Sequence, residues 1–290
     1  MIGDLRFSTE RRLDSIDLDQ LVAAAALQTR VDRKYLLGAA EADRVLRTLA
    51  DSEPEAKVLE IDGEREFGYE SVYFDTPDLL SFRMAATARR RRFKLRTRSY
   101  LDSGDTFLEL KTRGARSATV KDRMPYEPER RDVLTPHARD YADSGLAEIG
   151  IADADTLELQ PTLITRYSRT TIYQPRSGSR ATVDTDLRWE SDGGEVLSRP
   201  RLVIIETKSG SRTSETDRIL WSLGHRPATV SKYGTGLAAI RHLTANKWNR
   251  VLRRYFDAEM PLSRQLSAHT SAAAVQPRHP ITARPATAVA

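Results

Sequence analysis

The 290-residue sequence contains no cysteine, which excludes disulfides, thiolate metal sites and thiol nucleophiles together. Its five histidines are scattered, which argues against a zinc enzyme. No apolar run approaches the ~20 residues that span a bilayer. The N-terminal "MIGDLRFSTERRLDSIDL" also lacks the apolar core of a signal peptide. A cytoplasmic location is therefore expected. What the chain has in abundance is charge: 30% of residues are Asp, Glu, Lys or Arg, against 39% hydrophobic, with a net charge of +5. Its length suffices for one large domain or two small ones with a real core. The basic residues gather at 89–98 and 111–131. Such a locus implies an anionic partner: nucleic acid, phosphoinositide headgroup, nucleotide or polyphosphate.

Three segments are expected. Residues 1–28 read as a loose start with a short helix, "QLVAAAALQ", capped by Asp17 or Asp19. Residues 29–258 form the body. Residues 259–290 are an Ala/Pro/Thr-rich tail whose low complexity predicts disorder. Within the body, alternation predicts strands at "RVDRKYLL", "AKVLEID", "GYESVYFDT", 91–100, 106–113, 118–127, 161–173, 179–190 and 200–210. Helical spacing predicts helices at 39–51, from Pro77 onward, at 136–149 and in "SETDRILWSLG", with one closing helix in "GTGLAAIRHLTANKWNRVLRRYF". Roughly eight mostly antiparallel strands with short helices between them indicate an α+β fold: a large sheet or a closed eight-stranded antiparallel β-barrel with flanking helices.

The charges keep one parity along these strands. In "RRRRFKLRTRSY", Lys94, Arg96 and Arg98 alternate with Phe93, Leu95 and Thr97, so the cations share a face. Glu109, Lys111 and Arg113 lie opposite Leu108 and Leu110, and Lys121 falls with Arg123. Arg180, Asp184, Asp186 and Arg188 take one side of their strand, with Ala181, Val183 and Leu187 on the other. Glu206 and Lys208 share the parity of Leu202 and Ile204. A solvated sheet face is the plain explanation for each strand alone. Across the ensemble, cations outnumber carboxylates on the shared parity, and cations held ~5 Å apart across strands repel. Charged helices covering an apolar outer side would turn the basic face inward, in a barrel wide enough for one small ligand. Guanidinium groups take phosphate oxygens bidentately. Carboxylates suit Mn²⁺ or Mg²⁺ that bridges phosphates rather than sitting in an all-protein cage. Phe93 lies on the opposite parity from the cations, which argues against nucleic acid, since single-strand binders stack bases on aromatic rings.

"RVDRKYLL", "YFDTPDLLSFR", "FKLRTRSY", "FLELKTRG", "RYSRTTIY", "RATVDTDLRW", "VIIETKSG" and "SKYGTGLA" follow one another in an order that resembles the VTC domain. This is the catalytic domain of the vacuolar transporter chaperone polyphosphate polymerases and their bacterial relatives, within the triphosphate tunnel metalloenzymes. The resemblance covers about residues 25–245. It implies an eight-stranded tunnel that uses a divalent metal (Mn²⁺ or Mg²⁺) and transfers the γ-phosphate of ATP to a growing polyphosphate chain. It also implies that Lys34, Arg96, Arg98, Lys111, Arg169, Arg180 and Lys232 hold phosphates and that Glu206 binds the metal. Arg96, Arg98, Lys111, Arg169 and Lys232 would act at the reacting phosphates. The shared parity adds Lys94, Lys121, Arg123 and Lys208 to the phosphate-binding set. Glu109 is either a second metal-site residue or a partner for Arg98. Arg89 to Arg92 lie outside the motif, as a basic rim or as solvated decoration.

The sequence departs from the CYTH branch of that superfamily, whose opening Glu-x-Glu-x-Lys pattern here reads Arg30, Asp32 and Lys34. That argues against a CYTH triphosphatase and toward the VTC branch. The eukaryotic polymerases also carry a separate phosphate-sensing domain and a membrane segment, neither of which this sequence shows. Product is then expected to stay in the cytoplasm, or a separate membrane protein couples to the enzyme. The substrates implied are ATP with polyphosphate or pyrophosphate. Water as acceptor would make the same tunnel a tripolyphosphatase or nucleoside triphosphatase. A catalytically silent tunnel would be a polyphosphate or inositol-phosphate binding module.

Overall fold

Charge–apolar alternation along the strands builds a sheet with its usual polarity reversed, oily outside and ionic inside. In the computed structural model, the described residues are 12–24, 31–113, 119–210 and 212–256. The tail expected at 259–290, and Arg30, lie outside them. The elements run β1 (Asp14–Ile16), α1 (Leu18–Ala24), β2 (Val31–Gly38), α2 (Ala39–Ser52), β3 (Lys57–Leu59) and β4 (Phe67–Asp75). Next come α3 (Leu80–Ala86), β5 (Arg92–Tyr100), β6 (Thr106–Arg113), β7 (Thr119–Tyr126) and α4 (Pro136–Glu148). The chain continues with β8 (Gln160–Gln174), β9 (Ser179–Ser191), β10 (Val196–Arg199) and β11 (Leu202–Ser209). It closes with α5 (Glu215–Ser222), α6 (Lys232–Arg241) and α7 (Asn249–Tyr255).

Eight strands form one path in the order β2-β11-β9-β8-β4-β5-β6-β7, and every neighbouring pair is antiparallel. The short β10 and β3 add to β9 and β8, and β1 pairs parallel with β3. The fold is α+β, as expected. Among the described residues no ladder joins β7 back to β2.

The outer face is apolar and covered. Tyr35 and Leu37 of β2, Ala181 and Val183 of β9, and Val203 and Ile205 of β11 are buried with Val45, Leu46 and Leu49 of α2 and Leu220 of α5. Phe93 and Leu95 of β5 and Leu108 and Leu110 of β6 are buried with Ala138, Ala142 and Leu146 of α4. Each fully buried Leu, Val or Phe contributes roughly 1.5–3 kcal/mol. These contacts give the sheet its reason to present charge on the other side. The cap of α4 is Thr135, whose side chain accepts from Ala138 N, and that of α5 is Ser214, which accepts from Asp217 N.

One end of the inner face is apolar and filled. Leu36, Leu163, Ile204, Leu187 and Trp189 pack there with Tyr233 and Leu237 of α6 and Val251 and Leu252 of α7. This corrects the parity expected for β9. The register against β8 shifts between Arg166 and Ser168, and Asp186 takes a left-handed backbone at φ 50°. The extra residue turns Leu187 and Trp189 inward and leaves Arg188 exposed, paired across the ladder with Arg166. The closing helix is also two helices, broken where His242 adopts φ 52°. Helix α3 starts at Leu80 rather than Pro77, because the Asp75 carboxylate accepts from Thr76, Ser81 and Phe82 N–H groups and Thr76 Oγ1 from Leu80 N.

Two glycines set how closely α6 approaches its neighbours. A Cβ on Gly234 would overlap the Trp248 ring, and one on Gly236 the Trp189 ring. Gly234→Ala and Gly236→Ala should each destabilise the fold by about 1–3 kcal/mol through overpacking. Urea unfolding checks this, and a midpoint unchanged from wild type would contradict the packing described.

Candidate functional site

The ladder registers place the expected site residues on one inner face. On β5, Lys94, Arg96 and Arg98 stand opposite Lys111, Glu109 and Phe107 of β6. Lys111 and Glu109 in turn oppose Lys121 and Arg123 of β7. In the other direction Arg96 and Arg98 oppose Tyr73 and Ser71 of β4, and Tyr69 opposes Tyr167 of β8. Arg169 opposes Asp184 of β9, while Thr182 and Arg180 oppose Glu206 and Lys208 of β11. Glu206 finally opposes Lys34 of β2. Lys232, the first residue of α6, reaches the same face through its contact with Asp184. The face curls: Lys111 on β6 is held below the ordinary lysine range by burial and then by Lys34 on β2, near the far end of the strand order.

Three carboxylates are set among these cations. Asp184, fully buried, accepts from Arg169 Nε at 2.6 Å and Nη2 at 2.9 Å, and also from Lys232 Nζ. Burial alone would raise its pKa, but Arg169 and Lys232 outweigh burial and bring it down to about 2. Asp184 was not among the expected site residues, although it shared a strand parity with Arg180. Glu109 accepts from Arg96 Nε at 2.8 Å and Nη2 at 2.6 Å, with Lys121 Nζ at 2.8 Å and Arg98 Nε at 3.5 Å. Its main partner is therefore Arg96 rather than Arg98. Burial opposes its ionisation, yet Arg96, Arg98 and Lys121 hold it well below the usual carboxylate range. Glu206 lies 3.3 Å from Lys34 Nζ and 3.7 Å from Lys208 Nζ. Despite burial, Lys208 and then Lys34 keep it ionised.

A layer of tyrosines carries the arginines. Tyr69 and Tyr167 stack at 5.2 Å between ring centroids, and Tyr73 stacks on Tyr233 at 4.9 Å. The Arg169 guanidinium lies 5.1 Å from the Tyr69 centroid and 5.2 Å from that of Tyr167, and Lys232 Nζ lies 4.1 Å from Tyr167. Arg98 sits over Tyr69 at 5.7 Å, and Arg96 donates Nη1–H to Tyr73 Oη at 2.8 Å. Such contacts are worth ~0.5–2 kcal/mol each. They also fix the guanidinium planes before any ligand arrives. The sequence signal was available, since Tyr69 and Tyr73 share a parity in "GYESVYFDT" and Tyr167 shares one with Arg169. Phe93 is buried on the outer face, as expected, but other aromatic rings do lie on the basic face, and Tyr69, Tyr73 and Tyr167 are each covered by a cation.

The four arginines at 89–92 divide. Arg92, first residue of β5, turns inward beside Lys94. Arg89, Arg90 and Arg91 are exposed and line an outer groove with Leu80, Arg83 and Met84.

Among the described residues no group of three or more metal-ligating side chains comes together. An all-protein metal cage is therefore not what the face offers. Glu206 fits a metal shared with phosphate oxygens: its two lysines stand beyond close hydrogen-bond range, and neighbouring Thr182 Oγ1 is buried without a hydrogen-bond partner. Glu109 is taken up by Arg96 and Lys121. No helix among the described residues is long and apolar enough to cross a membrane.

A curled sheet with an ionic inner face, more cations than carboxylates and pre-oriented guanidinium groups defines a polyanion tunnel. The chain belongs to the VTC domain family, which matches residues 29–241. No curated protein matches it. Similar solved structures include HpAC1 of Hippeastrum, an adenylyl cyclase candidate with a dominant triphosphatase activity, at 19% identity and TM-score 0.41, covering 74% of this chain and 96% of that one. An adenylate cyclase candidate from Vibrio parahaemolyticus has 14% identity and TM-score 0.34, with 83% and 98% coverage. The PH1819 protein of Pyrococcus horikoshii has 15% identity and TM-score 0.33, with 82% and 99% coverage.

Two lysines on this face titrate near neutrality. Burial, then Lys111, Lys34 and Arg96, lower Lys94 to about 7. Burial chiefly lowers Lys208 to about 8, against the opposing pull of Glu206. A bound anion favours the charged form and raises both values. Binding of a polyanion to this face above pH ~7 should therefore take up protons, and affinity should fall as pH rises from there toward the ordinary lysine range, ~10.4. Calorimetry in buffers of different ionisation enthalpy measures the uptake. Binding without proton exchange at pH 8 would contradict these assignments.

Proposed function

We propose that the protein is a metal-dependent polyphosphate polymerase that transfers the γ-phosphate of ATP to a growing polyphosphate chain inside the basic tunnel. The observation that carries this reading is the excess of oriented, partly buried cations on a single concave face of a VTC-family chain. Membership in the family supports a triphosphate-tunnel function, and polymer synthesis is the use of it proposed here.

Phosphoryl transfer demands positioning and charge neutralisation more than covalent help from the protein. Arg96, Arg98, Arg169 and Lys232 hold the triphosphate, and Asp184, Glu109 and the tyrosine layer fix their orientation. Lys34, Lys94, Lys111 and Lys208 extend the grip along the chain, with Lys121, Arg123 and Arg180 on flanking strands. The terminal oxygen of the chain attacks the γ-phosphorus as the bond to the bridging oxygen breaks and ADP leaves. Arg169 and Lys232, rigid in a buried site, stabilise the charge that develops during that exchange. A divalent cation at Glu206, manganese or magnesium, would neutralise phosphate oxygens there. If water occupies the acceptor position, the same groups hydrolyse the triphosphate.

Purified protein with ATP and Mn²⁺ or Mg²⁺, run on a gel stained for polyphosphate with free phosphate assayed in parallel, tests the reading. A ladder of chains is expected. Free phosphate without chains would make the protein a triphosphatase, and neither product, with polyphosphate still bound, a silent binding module. Arg96→Ala should lower turnover by about 10²–10³-fold while the fold persists. Glu206→Gln should reduce metal-dependent turnover far more than polyphosphate affinity. Wild-type turnover in the Arg96 variant would remove the tunnel from the mechanism.

A further inference from the structure

On the inner face, two successive rungs of the β5–β6 ladder oppose like charges. Lys94 stands directly across from Lys111, and Arg92 directly across from Arg113. Like charges facing each other across strands are destabilising. One rung away, Arg96 opposes Glu109 and is ion-paired with it. Balance is thus available on this ladder and is absent at its end.

The unbalanced end opens on a cavity of about 160 Å³ between the β5–β6 ladder and the start of α6. Its charged lining among the described residues is Arg92, Lys94, Lys111, Arg113 and Lys247, with no carboxylate. Lys247 comes from the 3₁₀ turn Asn246–Trp248. Lys94 Nζ donates to Ser231 Oγ at 2.8 Å, and Arg113 Nε is buried with no hydrogen-bond partner. Arg92 and Lys247 are each held below their ordinary ranges by burial and by the cations beside them.

Length narrows the ligand. Arg92, Lys94, Arg96 and Arg98 follow one another at alternate positions of β5, so the track spans six residue-to-residue steps of strand, or ~20 Å. The two P–O–P links of a triphosphate cannot bridge that distance, whereas a longer linear chain can. We propose that Arg92, Arg113 and Lys247 form a second phosphate subsite, continuous with the central site through Lys94 and Lys111. It takes the far part of a linear phosphate chain longer than a triphosphate. The proposal rests on the phosphate-binding reading of the central face.

The test combines Arg92→Gln, Arg113→Gln and Lys247→Gln in the full chain. Affinities for tripolyphosphate and for long-chain polyphosphate are measured at one fixed salt concentration, since screening changes both. The variant should lose about tenfold in long-chain affinity, equivalent to one lost charge-assisted contact. Its tripolyphosphate affinity should stay within about twofold of wild type by the same scale. Lys247→Gln alone, on an exposed turn, should show the same split more weakly and leaves the ladder untouched. An equal loss for both ligands, or no loss for either, overturns the subsite while the central reading stands. Failure of the wild-type protein to bind either ligand overturns both.

Discussion

Repulsion among cations gathered on one concave face is the constraint around which this molecule is organised. Two unit charges 4 Å apart interact by roughly 4 kcal/mol at the effective dielectric of a partly buried site. A cluster of this kind would open the sheet unless other groups opposed it. Asp184, Glu109 and Glu206 each sit between two or more cations. Beneath them the tyrosines offer the negative faces of their rings. The remaining restraint comes from outside, where α2, α4 and α5 bury the apolar backs of the same strands. Burial on the convex side thus supplies the free energy that keeps the concave side charged.

The carboxylates do different work. Asp184 is fully enclosed, with a bidentate arginine on one side and a lysine from another element on the other. It ties α6 to β8 and β9, so the orientation of Lys232 depends on the strand ladder as well as on its own helix. Glu109 gathers residues from β5 and β7 and joins the edge of the sheet to its middle. Glu206 is the least tightly engaged, and for that reason the best placed to exchange a lysine for another cation. Removing one partner from such a buried pair generally costs about 3–5 kcal/mol.

Much of this was legible in the strands. A period of two fixes which side chains share a face, so Lys94, Arg96, Arg98, Lys111, Glu109 and Glu206 could be grouped before any pairing was known. Reversed polarity followed from the excess of cations on that parity. The β9 bulge was not legible. One extra residue at Asp186 reverses every side chain after it, and "VDTDLRW" carries no glycine to announce the change. Asp184 escaped notice as a site residue because strand parity locates a face, not the partner that arrives from α6. The tyrosine layer was missed for a related reason: rings two residues apart read as ordinary packing until the register of β4 against β5 and β8 puts cations over them. The break at His242 lay in a continuous helical pattern, and beyond it the chain packs Trp248 against Phe82 and Gly234.

Strand β7 ends the path, and its outward N–H and C=O groups have no further ladder among the described residues. An open edge of that kind is a template for another chain. Lys121 and Arg123 are exposed along it, and Pro125 removes one donor from its row. The cations proposed to extend the phosphate grip therefore also disfavour the addition of a strand by a neighbouring molecule. Neutralising them to study ligand binding would expose the protein to edge-to-edge self-association. Under the proposed function, edge protection and phosphate recognition on this strand fall to the same side chains.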